Sequence, residues 1–331
     1  MPKYSIIIPI YNRPDELDEL LTTLLDQSYT DFEVVVVEDG STEDCLHIVK
    51  KYDQELSIHY YEKDNGGQGF ARNYGYERAN GEYLIVFDSD CLIPSHYLQS
   101  VDDYLQVNNV DAFGGPDAAH ASFNVTQKAI NHVMTSLFTT GGIRGNKKHV
   151  GTYHPRSFNM GISRKVWEET KGYIIPFMGE DMEFSTRILK AGFKTVLIPE
   201  AFVYHKRRTS LVKFFKQLKY FGRARINLSR FHSGQVGVVH LFPTGFTIGI
   251  IVSIVLASFA NPLQWLGVLS YSIYFGLVSL EALIKTKSLA VALLSPITAL
   301  LQLTGYGYGL VYEWVRKIRG IDPNTKYIEL Y

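Results

Sequence analysis

The chain has 331 residues, which is enough for a catalytic domain and a second, smaller part. Lys and Arg number 33, and Asp and Glu also number 33, so the composition argues against a polycationic nucleic-acid-binding protein. The two cysteines, Cys45 and Cys91, are too few for a disulfide framework and lack the paired spacing of zinc ligands.

The predicted elements of the first half alternate between strands and helices. The β-branched runs Tyr4–Ile10 and Phe32–Asp39 have the length of strands that are buried on both faces, and a leucine-rich helix begins at Pro14 between them. Strand-like runs at 57–64 and 83–88 flank a further helical segment. This βαβαβαβ order predicts an α/β domain with a mostly parallel sheet, whose ligands would bind beyond the carboxyl ends of the strands.

Polar residues follow three of these predicted strands at their carboxyl ends. They are Pro9, Tyr11 and Asn12 after the first strand, Glu38, Asp39, Gly40 and Ser41 after the second, and Asp88, Ser89 and Asp90 after the fourth. On an extended segment, Asp88 and Asp90 can point the same way and offer hard oxygen ligands to a divalent cation that also holds phosphates. The alternative for the same residues is an Asx turn followed by a helix cap.

The segment from 110 to 159 is predicted to help form an acceptor site. Its glycine-rich part carries Arg144, Lys147 and Lys148, a composition typical of a loop that orders over a substrate. Such a loop could meet an acceptor phosphate, and it could equally be a solvated loop without a ligand.

A basic amphipathic segment, 205–231, precedes the apolar part of the chain. Its Lys and Arg residues, next to apolar residues at helical spacing, predict a helix that lies on an anionic cytoplasmic leaflet.

Three long apolar stretches follow, at 241–260, 263–284 and 289–315. The first two are predicted to span a membrane as helices. The third is interrupted by Pro296 and nearby glycines, and is predicted either to span or to be re-entrant or interfacial. A buried helical hairpin in a soluble protein is the alternative for these stretches.

The basic residues beside these stretches predict an orientation. Lys285 and Lys287 follow the second stretch, on the same side as the N-terminal domain, which is therefore predicted to be cytoplasmic. Arg316, Lys317 and Arg319 would lie on the opposite side if the third stretch crossed fully, which the positive-inside rule disfavours.

Five motifs occur in a fixed order: SIIIPIYNR, VVVVEDGSTED, NGGQGFARNYG, YLIVFDSD and GEDMEFSTRILKAG. At these spacings they resemble glycosyltransferase family 2 with the GT-A fold, over about residues 4–205. The resemblance implies a Rossmann-like mixed, mostly parallel sheet and transfer of a sugar from a nucleotide-diphospho-sugar with inversion. It also implies a divalent cation, Mn²⁺ or Mg²⁺, as cofactor.

The resemblance also implies roles for the residues at matching positions. The implied donor contacts are Pro9, Tyr11, Asp39, Asn65, Gly67, Arg72 and Ser89, with Arg72 near the diphosphate. The implied metal ligands are Asp88 and Asp90, the implied catalytic base is Asp181, and Asn159 would help to shape the acceptor pocket.

These roles agree with the chemistry of sugar transfer. A metal ion and an arginine can stabilise the negative charge that develops on a leaving nucleoside diphosphate. The attacking hydroxyl needs a base on the opposite side, and a carboxylate such as Asp181 at a helix start would remain ionised at neutral pH. Glu180 is predicted as an acceptor contact or as the alternative base. Ordinary helix capping is the alternative for both carboxylates.

Two interpretations each are open for three residues at the end of the strand-like run TVLIPEAFVYH and just after it. His205 is predicted either as a third metal ligand, which would favour Mn²⁺ over Mg²⁺, or as an ordinary core or surface histidine. Arg207 and Arg208 are predicted to reach the donor diphosphate or a lipid phosphate, and the alternative for them is membrane-surface charge.

The sequence predicts a GT-A catalytic domain at 1–205, an interface segment at 206–235 and a membrane domain of two or three helices at 236–331. The predicted protein is multi-pass in the inner or plasma membrane, with membrane lipids as partners. It would move one sugar from a UDP-sugar to a membrane acceptor, such as a polyprenyl-linked saccharide. A processive synthase is disfavoured because the Q-x-x-R-W sequence is missing. The alternatives are transfer to polyprenyl phosphate, polymer synthesis with export, and an inactive nucleotide-sugar-binding scaffold.

Overall fold

The computed structural model describes residues 1–140, 153–259, 264–321 and Pro323. The chain divides into two compact units, of which the first comprises Met1–His120 and Gly145–Lys206 and the second Ala121–Arg144 and Arg207–Tyr331. The stretch Ala121–Arg144 therefore interrupts the first unit in sequence and belongs to the second.

The strands lie in the first unit, and the helices are divided between the two units. The strands are β1 Tyr4–Ile10, β2 Phe32–Asp39, β3 Ile58–Lys63, β4 Tyr83–Phe87, β5 Cys91–Leu92, β6 Ala112–Gly114, β7 Asp117–Ala118, β8 Asn159–Ser163, β9 Thr195–Leu197 and β10 Val203–His205. The helices are α1 Pro14–Leu25, α2 Leu46–Val49, α3 Gln68–Arg78, α4 Tyr97–Val107, α5 Val125–Thr135, α6 Leu137–Thr140, α7 Arg164–Thr170, α8 Glu180–Lys190, α9 Leu211–Leu228, α10 Phe242–Ser258, α11 Gln264–Thr286 and α12 Leu289–Ile318.

A seven-stranded sheet in the order β3-β2-β1-β4-β8-β6-β9 forms the centre of the first unit. The neighbours among β1, β2, β3 and β4 are parallel, whereas β8 runs antiparallel to both β4 and β6. The predicted mixed, mostly parallel α/β sheet is therefore confirmed. Because β2 and β4 lie on opposite sides of β1, the strand order reverses there, which is where open sheets of this class bind ligands.

Side chains of β1 alternate between two hydrophobic cores, one on each face of this sheet. Ile6 and Ile8 lie in the core that also contains the leucines of α1, whereas Ile7 lies in the core beneath α3 and α8. Because successive side chains of a strand point to opposite faces, a continuous β-branched run fills both cores at once. This packing fixes the carboxyl ends of β1, β2 and β4 at one edge of the sheet.

A three-stranded sheet, in the order β5-β10-β7, lies beside the large one in the same unit. Its central strand β10 pairs antiparallel with β5, and this pairing puts His205 opposite Cys91. Residues just after β4 and residues near position 205 are thereby brought together, although more than a hundred positions separate them in sequence.

Among its described residues, the second unit contains three helices that are long and apolar enough to cross a membrane: Val238–Ser258, Trp265–Thr286 and Leu289–Ile318. The helix α12 continues through Pro296, so the predicted interruption of the third apolar stretch is wrong. A Cβ atom on Gly309 would overlap the carbonyl oxygen of Lys219, and one on Gly305 would lie 3.1 Å from that of Phe215. The glycines therefore allow close contact between the α9 and α12 backbones and do not end the helix.

Candidate active site

Asp88 and Asp90 stand directly after β4, at the carboxyl edge of the large sheet, where the sequence predicted them. The Oδ1 atom of Asp88 accepts a hydrogen bond of 2.7 Å from Nη2 of Arg72. Asp90 is buried, and its Oδ1 atom lies 3.1 Å from Nε2 of His205, while Nη1 of Arg13 is 4.0 Å from Oδ2. The two carboxylates therefore have different neighbours, a guanidinium for Asp88 and an imidazole for Asp90.

Asp90, Cys91 and His205 form a group whose ligand atoms all lie within 4.8 Å of one another. The imidazole of His205 is held in place by stacking on Phe158, with ring centroids 5.0 Å apart. Burial raises the pKa of the Cys91 thiol well above its ordinary value, so the thiol is protonated at neutral pH and is the weakest of the three donors. The carboxylate and the imidazole are donors that suit a divalent metal such as Mn²⁺.

Arg72 projects from α3 and is almost completely buried. Its Nη2 atom bonds Asp88, its Nη1 atom lies 3.1 Å from Oε1 of Glu180, and its guanidinium is 5.4 Å from the ring centre of Tyr173. The sequence implied a contact with the donor diphosphate. In this arrangement Arg72 acts on the edge of the site through the Asp88 carboxylate.

Glu180 is the first residue of α8 and is buried. Its Oε1 atom accepts hydrogen bonds from Arg72 and from the Nε2 atom of Gln68. Burial raises the pKa of Glu180 to about 7; the Arg72 guanidinium opposes this rise and the neighbouring charge of Asp181 adds to it. This carboxyl group is therefore poised to change its charge near neutral pH.

Asp181 follows Glu180 in the first turn of α8 and is partly exposed. Its Oδ1 atom accepts a hydrogen bond of 2.7 Å from its neighbour's backbone N–H at Met182. Its Oδ2 atom accepts one of 3.2 Å from Nη1 of Arg156. Arg156 was not predicted as a site residue, because an arginine in an irregular segment before β8 has no local pattern that marks it.

Asp39, Asn65 and Gly67, three of the implied donor contacts, come together at the end of β2. The Asp39 carboxylate accepts hydrogen bonds from the backbone N–H groups of Gly66 and Gly67, at 2.9 and 2.8 Å, and Nζ of Lys63 lies 2.5 Å from its Oδ1. Asn65 donates to the Asp39 carbonyl oxygen. Gly67 has a φ of 93°, which glycine adopts without steric cost, and α3 begins directly after it. Asp39 thus fixes the loop from which the Arg72 helix starts.

The loops after β1 and β4 are tied to their surroundings by side chains. Pro9 lies near the end of β1 and is partly buried. Tyr11 follows the strand, also in a partly buried position. Asn12 accepts a hydrogen bond of 2.8 Å from the N–H of Thr42, which joins the loops after β1 and β2. Ser89 donates to Oε2 of Glu16 at 2.9 Å, which joins the end of β4 to the first turn of α1.

Asn159, which was predicted near the acceptor pocket, is fully buried in β8. Its Oδ1 atom accepts a hydrogen bond of 2.5 Å from the Tyr97 hydroxyl, and its Nδ2 atom donates to the Ala201 carbonyl at 2.8 Å. Both ends of this amide are thus engaged inside the unit.

Arg207 and Arg208 belong to the second unit. Arg207 is buried, and its Nε and Nη2 atoms lie 3.1 and 3.0 Å from Oδ1 of Asn131 in α5. Arg208 is partly buried. The predicted loop residues Arg144, Lys147 and Lys148 lie outside the described residues.

The family model described as "Glycosyl transferase family 2" matches residues 5–185, which is more than half of the chain. A curated relative is the poly(ribitol-phosphate) β-N-acetylglucosaminyltransferase TarS of Staphylococcus aureus, which is 37% identical over 115 residues. The match covers 34% of this chain and only 20% of that protein.

A second relative, from Methanococcus voltae, is named dolichyl N-acetyl-α-D-glucosaminyl phosphate 3-β-D-2,3-diacetamido-2,3-dideoxy-β-D-glucuronosyltransferase. It is 24% identical over 252 residues, which cover 73% of this chain and 78% of that protein.

A solved structure with the same fold is the mannosyltransferase PcManGT of Pyrobaculum calidifontis, in complex with GDP-Man and Mn²⁺. The two structures superpose with a TM-score of 0.65 at 17% identity, over 91% of this chain and 87% of that one. The likeness shows that the fold is of the GT-A type. The match of the family model over residues 5–185 shows that the chain belongs to glycosyltransferase family 2.

Proposed function

We propose that this protein is an inverting glycosyltransferase that moves one sugar from a nucleotide-diphospho-sugar to an acceptor at a membrane. The observation that carries the proposal is the Asp90–His205 contact of 3.1 Å, with Asp88 beside it, at the carboxyl end of β4 in a family 2 chain. This is the edge of the sheet at which α/β proteins of this topology bind their ligands.

Asp90 and His205 would hold a divalent cation, with Asp88 two residues before Asp90 in the sequence. When bound, such a cation offsets the negative charge that a nucleoside diphosphate gains as it leaves. A mixed carboxylate and imidazole set favours Mn²⁺ over Mg²⁺. Arg72 holds Asp88 in place, because its guanidinium is buried between Asp88 and Glu180.

Asp181 is the proposed base. The acceptor hydroxyl oxygen forms a bond to the anomeric carbon, and the bond from that carbon to the diphosphate oxygen breaks, with its electron pair leaving on the nucleoside diphosphate. The hydroxyl proton passes to the Asp181 carboxylate. Arg156, at 3.2 Å from Oδ2, would orient this carboxylate.

The proposed acceptor is a membrane-bound, lipid-linked saccharide. Support comes from the three helices that could cross a membrane and from the Methanococcus voltae relative, which is named for a dolichyl-linked acceptor. The proposed location is the inner or plasma membrane with the catalytic unit on the cytoplasmic side, because basic residues gather in α9 and after α11.

The experiment that tests this function is thermal unfolding of the detergent-purified protein with UDP, GDP or dTDP, each with and without Mn²⁺. One nucleotide should stabilise the protein only when Mn²⁺ is present, by about 2.7 kcal/mol at a hundred times its Kd. The variant Asp90→Ala should lose this response, and Asp103→Asn, on the exposed side of α4, should keep it.

If no nucleotide stabilises a folded sample, the donor site does not exist and the proposal fails. If a nucleotide binds but the purified protein, supplied with the corresponding nucleotide-diphospho-sugars, neither hydrolyses them nor transfers their sugar, the scaffold alternative is correct.

A further inference from the structure

Helices α10 and α11 form an antiparallel hairpin within the second unit. The Phe246 ring packs on Tyr271 and Tyr274, with centroids 5.1 and 5.4 Å apart, and the Tyr271 hydroxyl donates to the Phe246 carbonyl at 2.9 Å. Further along α10, Ser253 packs against Gly267 of α11. The contact positions move backward along α11 as they move forward along α10. Continued at about 1.5 Å per residue, this register puts Pro243 level with about residue 277.

Helix α12 meets both helices of this hairpin at the same end. Ser279 of α11 donates to the Ala292 carbonyl at 2.7 Å. Gly307 of α12 lies against α10, because a Cβ atom on Gly307 would be 2.8 Å from the carbonyl oxygen of Pro243 in α10. The two contacts are separated by about 3 Å along the hairpin but by about 22 Å along α12. If α12 ran alongside the hairpin, the two contacts would be equally far apart along α12 and along the hairpin. Because they are not, α12 crosses the hairpin at a steep angle.

Helix α9 runs parallel to α12. Phe215 lies at Gly305, Lys219 lies at Gly309, and Arg223 bonds Glu313, so the register is constant over about two turns. If α12 crossed the bilayer, α9 would therefore have to lie in the bilayer beside it. The basic residues of α9 are Lys213, Lys216, Lys219, Arg223 and Arg225. Five cationic side chains on one short helix are incompatible with the hydrocarbon core, where each is costly.

The two faces of α12 differ as they do in a helix that lies at an interface. Exposed apolar residues at intervals of three, four or eleven positions, which return to one face of a helix, form a stripe: Leu293, Ile297, Tyr308, Val311, Val315 and Ile318. The opposite face packs inside the unit. In the most apolar 18-residue stretch of α12, 44% is buried, against 6% and 11% for the corresponding stretches of the other two candidate spans. The first two helices thus expose most of their apolar surface, whereas α12 exposes it on one side.

The end of α12 carries a cluster of charges that belongs at the polar surface. Glu313 is buried, and its carboxylate lies 3.0 Å from Nε of Arg223, 3.0 Å from Nη2 of Arg230 and 3.5 Å from Nε of Arg316. A charged cluster of this kind is costly within the hydrocarbon core and is accommodated at the level of the lipid headgroups.

We propose that α12 does not cross the membrane but lies along one leaflet, with the stripe from Leu293 to Ile318 among the acyl chains and α9 beside it. The partner of this surface is the anionic lipid leaflet itself. The bilayer is then crossed by α10 and α11, and the basic residues at 285, 287, 316, 317 and 319 share one side, as the positive-inside rule requires. The inference is independent of sugar transfer.

Spin labels at different depths in lipid nanodiscs provide the test. The labels are attached to Leu293→Cys, Val311→Cys and Ile318→Cys, all at exposed positions, in the chain that keeps the buried Cys45 and Cys91. Accessibility to oxygen and to a nickel chelate should place the three labels at one depth within a few ångströms. The controls Ile248→Cys and Val255→Cys on α10 should differ in depth by about 10 Å.

A steady change of depth through the bilayer centre from position 293 to 318 would overturn the proposal. The side of the membrane on which each helix end lies is tested independently, in oriented proteoliposomes with a membrane-impermeant maleimide. Lys287→Cys and Arg319→Cys should react from one side, and Phe259→Cys, at the far end of α10, from the other. Reaction of Arg319→Cys from the side of Phe259→Cys would show that α12 crosses.

Discussion

Arg72 joins two carboxylates that are far apart in sequence, Asp88 after β4 and Glu180 at the start of α8. Its guanidinium offers donors in a planar fork, so one buried side chain can hold both acids at fixed distances. Removing this cation would leave Glu180 buried without a counter-charge, which is strongly destabilising in protein interiors. The geometry after β4 therefore depends on a residue that is itself hidden from solvent.

The raised pKa of Glu180 predicts a specific dependence of stability on pH. Its pKa rises from 4.5 to about 7 on folding, so the folded state binds this proton more tightly than the unfolded state. The contribution of this group to the free energy of unfolding is present below pH 4.5 and is lost as the pH rises through 7, by roughly 3 kcal/mol.

The variant Glu180→Gln cannot titrate. Its Tm minus that of the unaltered protein should increase between pH 5 and pH 7.5, measured in the same detergent. Glu169→Gln, at an exposed position of α7, should give a difference that is flat with pH. A flat difference for Glu180→Gln as well would show that its carboxyl group is not shifted.

Asp181 and Asp90 should separate catalysis from donor binding. Asp181→Asn should keep the Mn²⁺-dependent stabilisation by the nucleotide but lose about 100-fold or more of the donor hydrolysis or transfer rate, because only the base is removed. Asp90→Ala should lose the stabilisation itself. Normal turnover by Asp181→Asn, measured as nucleoside diphosphate release, would disprove the base assignment.

At this scale, the residues that the sequence predicted are those that carry a local pattern. Asp88 and Asp90 follow an apolar strand, and Asp181 lies in the first turn of a helix, so each stands where a local pattern marks it. Gln68, Arg156 and Cys91 had no such signal. They join the site through contacts with residues far away in sequence, and no spacing along the chain reports such contacts.

The close packing of α9 against α12 predicts a large effect of a single methyl group. Gly309→Ala would place a Cβ atom onto the Lys219 carbonyl oxygen, and overpacking of this kind costs about 1–3 kcal/mol. Gly276→Ala on α11 adds a methyl group where no atom lies within 4 Å, so it should leave stability unchanged or slightly raised. Thermal unfolding in detergent compares the two, and equal Tm values would contradict the packing.

Elements were predicted well where local composition and burial agree. The runs of β1, β2 and β4 are mostly apolar and rich in β-branched residues because the sheet is covered on both faces. The continuity of α12 was not predicted, since Pro296 and the glycines have low helix propensity and tertiary packing overrides that propensity. The strands β5, β7 and β10 are two or three residues long, and they exist only through pairing with distant residues.

The whole molecule carries no net charge, but its basic residues are unevenly distributed, and this predicts a response to lipid. Anionic lipid added to detergent micelles should raise the Tm, because ligands of the native state stabilise it by mass action. Lys213→Gln together with Lys216→Gln, both exposed on α9, should reduce this stabilisation by about 1 kcal/mol per lysine.

The matched control is Lys50→Gln together with Lys194→Gln, two exposed lysines of the first unit. These substitutions should leave the response to phosphatidylglycerol intact, with phosphatidylcholine as the neutral lipid. An equal loss in both double variants would mean that the lipid acts through overall charge and not through α9.

The interleaved course of the chain has a consequence for biosynthesis. The helix α5 leaves the ribosome before β8, β9 and β10 of the first unit exist, and α12, which packs against it, begins some 150 residues later. At about 5–20 residues per second, this interval lasts on the order of ten seconds. During that time α10 and α11 are synthesised while α5 and α9 still lack α12, against which both of them pack. The second unit can therefore close only after α10 and α11 have been synthesised, and α12 is the element that completes it.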